Sequence, residues 1–138
     1  MGTRLDDTEC EQLMEAAREA SSRAFAPWSG LRVGAVLLAG SGETYRGCNV
    51  ENSAFGLTMC AERVALFSAV AEVGREKLEV RALALVSADG SSCPPCGACR
   101  QVLAELAPDA FVIFRDQGGV RQVPVGELLP YGFRMSPE

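Results

Sequence analysis

Arg81-Ala82-Leu83-Ala84-Leu85-Val86-Ser87-Ala88, the run 97–106, and Ala110-Phe111-Val112-Ile113-Phe114 read in that order as strand, helix and strand. This alternation implies a mixed sheet with helices packed on it, because each apolar strand face needs an apolar helix stripe to cover it. Working outward, the first helix is expected over 8–23. It opens on a Thr8–Glu11 capping box and carries Leu13, Met14, Ala17 and Ala20 on one face. A hairpin follows, with strands over 31–39 and 44–49 around the turn Gly40-Ser41-Gly42. A second helix spans 60–73, an edge strand 122–125, and a short helical turn 126–129. The expected fold class is α/β, a mixed sheet of about five strands with helices packed on both faces.

With 138 residues and 48% hydrophobic content, the chain suits one globular domain over 1–138 with a real core and is too short for two. A formal net charge of -5, with the 13 basic residues scattered, argues against nucleic acid as the main partner, since gripping phosphates takes clustered Lys and Arg. The segment Met1-Gly2-Thr3-Arg4-Leu5-Asp6 lacks an apolar signal core, Asp6 spoils a myristoylation match, and no apolar stretch approaches a membrane span. The expected location is cytoplasmic. In that setting six cysteines are metal ligands and buried thiols before they are disulfides.

Two short segments carry the chemistry: Cys60-Ala61-Glu62-Arg63 and Pro95-Cys96-Gly97-Ala98-Cys99-Arg100, in a chain without histidine. Cys96 and Cys99 can grip one metal from a single turn of chain, and Cys60 supplies a third thiolate. A closed structural site would need a fourth ligand from Cys10, Cys48, Cys93 or a carboxylate, whereas three ligands leave the open position of a catalytic zinc. Glu62 favours the catalytic reading. Two steps along a helix turn the chain by roughly 200°, so Cys60 and Glu62 meet one metal only off a helix end. If Pro94-Pro95 closes an extended segment and a helix starts near Gly97, two helix N-termini aim at one ion, which favours thiolate over thiol. Arg63, and Arg100 with it, would offset the excess thiolate charge. Three thiolates blunt the acidity zinc confers on water, and the arginine restores it, leaving Glu62 to take the proton.

The chain resembles the small, homotetrameric, three-cysteine branch of the cytidine deaminases. The likeness runs from about Pro27 to Phe133, through Pro27-Trp28-Ser29, Val33-Gly34-Ala35, Gly47-Cys48-Asn49-Val50-Glu51-Asn52, the two cysteine segments, and Leu128-Leu129-Pro130. The resemblance implies a three-layer architecture and one zinc per subunit on Cys60, Cys96 and Cys99. It also implies hydrolysis of cytidine, with 2′-deoxycytidine as a second substrate, in pyrimidine salvage. An activated water attacks C4 of cytosine while Glu62 protonates N3 and then the departing ammonia. Asn49 and Glu51, on one face by strand alternation, hold ribose hydroxyls, and the Ala61 N–H reads a pyrimidine edge. An amide and a carboxylate suit a hydroxyl, and the carboxylate repels phosphate, which favours free nucleosides. Leu31 stands where the family usually has a Phe lining the base pocket, Phe55 and Trp28 replace common tyrosines, and Phe133 matches an aromatic that reaches a neighbouring subunit's site.

Blander readings stand beside these. The three cysteines can form a structural zinc site or buried thiols in a non-catalytic binding module, for which Glu62 would be dispensable. Cys93-Pro94-Pro95-Cys96 has a redox spacing without a thioredoxin-like context. Asn49 and Glu51 can be turn formers, and Arg63 an exposed helix charge. The rival enzymes are a deaminase of a cytosine nucleoside analogue or nucleoside antibiotic, and a nucleic-acid editor, which would need a basic channel.

Overall fold

The structure is a computed structural model that describes residues 2–136; Met1, Pro137 and Glu138, the ends of the expected domain, lie outside the described residues. A sheet of five strands, β1 (Val33–Ala39), β2 (Thr44–Cys48), β3 (Val80–Ser87), β4 (Phe111–Asp116) and β5 (Gly119–Pro124), runs in the order β2-β1-β3-β4-β5. Only β3 and β4 are parallel, joined through an α-helix as such a crossover requires; the other neighbours are antiparallel.

Period-two alternation sorts the sheet's side chains into two cores. Val36, Ala82, Ala84, Val86 and Ile113 face helix α1 (Asp7–Ser21) and meet Cys10, Leu13 and Ala17. Ala35, Leu37, Leu83, Leu85, Val112 and Phe114 face the other way, toward helices α2 (Ala61–Val73) and α3 (Gly97–Leu106), and meet Ala65, Leu66, Ala69 and Leu103. The layers are therefore helix, sheet, helix, as expected.

Several boundaries differ. The helix start is set by Asp6, not Thr8: Asp6 Oδ1 accepts from Glu9 N at 2.8 Å and Glu9 Oε1 accepts from Asp6 N at 3.2 Å. The same Glu9 pairs with Arg81 of β3 at 2.8 Å, so a tertiary contact selects the earlier frame over Thr8–Glu11. The first strand begins at Val33 because residues 27–29 form a turn that Gly30 closes by donating to Ala26 O at 2.9 Å, with a φ of 71° in the left-handed region, and residues 30–32 are irregular. The edge strand begins three residues before its expected start, paired to β4 across a tight turn in which Asp116 Oδ1 accepts from Gly118 N at 2.7 Å. A 3₁₀ turn at Phe55–Leu57 was not anticipated, and the expected turn at 126–129 is a 3₁₀ turn at Val125–Glu127. Among the described residues no helix is long and apolar enough to cross a membrane.

Candidate active site

Helices α2 and α3 enter the site by the same device. Cys60 and Cys96 are their N-cap residues, both extended, so each thiol sits at the mouth of a helix whose first N–H groups have no intrahelical acceptor. Cys99 lies in the first turn of α3 and is buried. The Sγ atoms of Cys60 and Cys96 are 3.8 Å apart, and all three sulfurs lie within 4.8 Å of one another. Thiolates bound at about 2.3 Å around a tetrahedral ion stand about 3.8 Å apart, so this donor set fits zinc. Among the described residues it is the one cluster of this kind, and the Glu62 carboxylate stands outside it.

Close packing fixes the approach of α2. Gly47 of β2 lies so near the helix that a Cβ there would sit 2.3 Å from Ala61 O and 2.5 Å from Ala65 N. The start of α3 is held by Arg100, whose Nε donates to Pro95 O at 2.8 Å and whose guanidinium reaches Leu128 O at 3.3 Å. Arg100 is thus occupied with backbone carbonyls, in place of the charge-offsetting role expected for it. Arg63 does meet the thiols: its Nη2 donates to Cys60 Sγ at 3.4 Å. The Cys99 thiol and then Arg63 hydrogen-bond Cys60, holding its pKa down at about 5. Cys99, as donor to that thiolate and by its burial, is pushed far up.

Glu62 is only 4% exposed. Burial is the main cause that raises its carboxyl above the usual range; the Cys60 charge adds to this, while the Cys99 thiol and Arg63 oppose it. A carboxyl whose proton affinity is raised by burial is suited to taking and returning a proton. All six cysteines are free. Cys10 is buried in the α1 layer, Cys48 is half-buried, and Cys93 packs against the second core with its thiol pushed up to about 11 by burial. That is the behaviour of a packing residue and not of a redox nucleophile.

Asn49 and Glu51 follow β2 and are tied to the cysteine site through the residue between them. Val50 and Met59 exchange hydrogen bonds at 3.0 and 2.9 Å, placing this short segment one residue from Cys60. On its other side the segment pairs with Phe25, whose ring meets Trp28 edge-on at 6.1 Å. Asn49 is buried; its Nδ2 donates to Leu31 O at 2.7 Å and its Oδ1 accepts from Val33 N at 2.8 Å. Glu51 Oε1 accepts from Trp28 N at 3.0 Å and Ser29 N at 3.1 Å, while Oε2 accepts from Ser29 Oγ. The Ser29 hydroxyl, then opposing desolvation, then the two backbone N–H groups act on the Glu51 carboxyl, with a net lowering. Sequence reasoning placed Asn49 and Glu51 together but missed Ser29; the Pro27-Trp28-Ser29 motif was its only signal.

Leu31 is about half exposed in the irregular segment before β1. Ala61 is the first residue of α2 and fully buried. Phe133 is largely exposed on a tail that lies along α3 and is tied there by Arg134 Nε to Glu105 Oε2 at 2.9 Å.

Residues 7–115 match the cytidine and deoxycytidylate deaminase zinc-binding region. A cytidine deaminase of Halalkalibacterium halodurans is 44% identical over 89% of this chain and 92% of its own length. The crystal structure of a cytidine deaminase from Burkholderia pseudomallei superposes with a TM-score of 0.81 at 45% identity, covering 89% of this chain and 98% of that one. One from Mycobacterium tuberculosis gives 0.81 at 35% identity, covering 95% and 100%. A blasticidin-S deaminase of Bacillus cereus is 29% identical over 71% of this chain and 74% of its own. Three sulfurs gathered at two helix mouths, a buried glutamate beside them, and these likenesses over most of the chain place the protein in the cytidine and deoxycytidylate deaminase family.

Proposed function

We propose that the protein hydrolyses cytidine and 2′-deoxycytidine to the uracil nucleosides and ammonia, as a single-domain, cytoplasmic enzyme of pyrimidine salvage. The observation that carries this is the buried Glu62 beside three convergent thiols yet outside the ligand set. Cys60, Cys96 and Cys99 would hold one zinc per subunit, which when bound supplies the Lewis acidity that lets water ionise near neutral pH. Glu62 accepts one proton of the attacking water and passes it to N3 of cytosine, then takes the remaining proton of the hydroxyl now on C4 and delivers it to the C4 amine, which leaves as ammonia while the C4 carbonyl forms. Burial raises its affinity for the proton it must carry between these atoms. Arg63, bonded to the Cys60 sulfur, draws charge from the thiolates.

Asn49 and Glu51 hold a ribose hydroxyl, and the Ala61 N–H, one of the first-turn donors of α2, reads the pyrimidine edge. Leu31 borders the base pocket, and Phe133 serves a neighbouring subunit's site in a homotetramer. The exposed side chains Phe25, Trp28, Phe55, Leu57 and Phe67 support self-association, since they leave apolar area for a second copy to cover. Neither nucleic acid nor a membrane is a partner in this reading.

The likeness to a blasticidin-S deaminase makes a nucleoside antibiotic the rival substrate. A substrate panel decides between them. Cytidine and 2′-deoxycytidine are expected to react with similar kcat/KM, and cytidine 5′-monophosphate about tenfold or more worse, because Glu51 repels the added charge. An antibiotic nucleoside turned over well while cytidine is not would reassign the substrate.

A further inference from the structure

Glu51 and Asn49 are joined through the backbone of residue 31, and the join has a direction. The Leu31 N–H donates to Ser29 Oγ at 3.0 Å, and Ser29 Oγ donates to Glu51 Oε2. Because a backbone N–H can only donate, it occupies an acceptor site of the hydroxyl and drives the hydroxyl proton onto the carboxylate. On the far side of the same residue, Leu31 O accepts from Asn49 Nδ2 at 2.7 Å. Val33 N donates to Asn49 Oδ1 at 2.8 Å, so the amide's orientation is fixed by an obligate donor and an obligate acceptor.

What remains unspent on these two side chains is complementary to a hydroxyl. Oε1 of Glu51 already holds two backbone N–H groups, Trp28 at 3.0 Å and Ser29 at 3.1 Å, while among the described residues Oε2 has only the Ser29 hydroxyl and keeps an acceptor site. The Asn49 Nδ2 keeps one N–H. One acceptor and one donor are what a single sugar hydroxyl takes.

We propose that Ser29 is a positioning residue that sets the hydroxyl-binding carboxylate of Glu51, and so determines affinity for nucleosides carrying a 3′-hydroxyl without touching the reacting base. This rests on the reading of Asn49 and Glu51 given under Proposed function. Without the Ser29 hydroxyl, Oε2 loses its side-chain partner and the carboxylate pivots about the two N–H bonds at Oε1. Chemistry at C4 is untouched, because the route from Glu51 to Cys60 runs through Val50 and Met59 backbone bonds that Ser29 does not make.

The test compares Ser29→Ala and Ser29→Thr on cytidine and on 2′,3′-dideoxycytidine, with melting temperatures measured alongside. Ser29→Ala is expected to raise KM for cytidine about tenfold or more, the lower end of the scale of one hydrogen bond to a charged group, with kcat within about twofold. On the dideoxynucleoside, which offers no hydroxyl to Glu51, KM should change by less than about twofold, and Ser29→Thr should restore the cytidine value. An equal rise on both substrates would make Ser29 a structural prop of the loop and overturn the proposal, as would no rise on either. A wild-type protein that deaminates neither nucleoside would instead overturn the functional reading itself, and this inference with it.

Discussion

Glu62→Gln is expected to lower kcat for cytidine by about 10³- to 10⁴-fold, the upper range for a positioned acid and base, while zinc content and fold stay at wild-type levels. The amide keeps the shape of a side chain that is 4% exposed and removes the carboxyl proposed to shuttle protons. Glu62 lies outside the sulfur cluster, so metal affinity does not depend on it. Because burial disfavours the ionised carboxyl, the neutral amide should leave the melting temperature equal to or above that of the wild type. Progress curves, metal analysis and thermal denaturation on one preparation check all three. Turnover within about tenfold of wild type would remove Glu62 from proton transfer.

Gly47→Ala should be the change most damaging to turnover outside the cysteine segments. Its Cβ would meet Ala61 O at 2.3 Å and Ala65 N at 2.5 Å, backbone atoms that move only if α2 moves. That helix carries Cys60 at its mouth and Glu62 in its first turn. The expected cost is about 1–3 kcal/mol of stability, as for overpacking elsewhere. Displacing the first turn by about 1 Å should also cost about 100-fold in turnover per folded molecule. Gly34→Ala provides the contrast. There the new Cβ would sit 1.8 Å from Ala17 O and 2.5 Å from Ser21 N, on the opposite layer, so stability should fall at least as far while the folded fraction keeps its rate. Urea denaturation and rates normalised to folded protein separate the two. A Gly47→Ala enzyme with wild-type turnover per folded molecule would show that α2 tolerates the shift.

The parts of this protein that were legible in its sequence are those set by neighbours along the chain. The apolar runs of β3 and β4, the intervening α3, and the cysteines at two helix mouths are all local patterns, and their spacing survives any tertiary arrangement. Glu62 was legible for the same reason, as a carboxylate two residues from a cysteine of the cluster. What escaped depends on contacts distant in sequence. Asp6 and Thr8 offer equally good caps, and only the pairing of Glu9 with Arg81 decides between them. Arg63 stands three residues past the N-cap Cys60 and Arg100 four past the N-cap Cys96, about 100° further around a helix, and one meets a thiol while the other holds the Pro95 and Leu128 carbonyls. Ser29 and Glu51 are 22 residues apart, and no periodicity links them. Gly47 shows nothing in sequence but a missing side chain; the helix pressed against it appears only in the fold.

The central claim is that Cys60, Cys96 and Cys99 hold the zinc with which Glu62 deaminates cytidine. It is tested most directly by following the ultraviolet change from cytidine to uridine before chelation, after it, and after zinc is returned. Conversion that disappears with the chelator and recovers at one zinc per chain is the predicted result. Zinc bound at that stoichiometry with no conversion of cytidine, or conversion indifferent to the chelator, would contradict it.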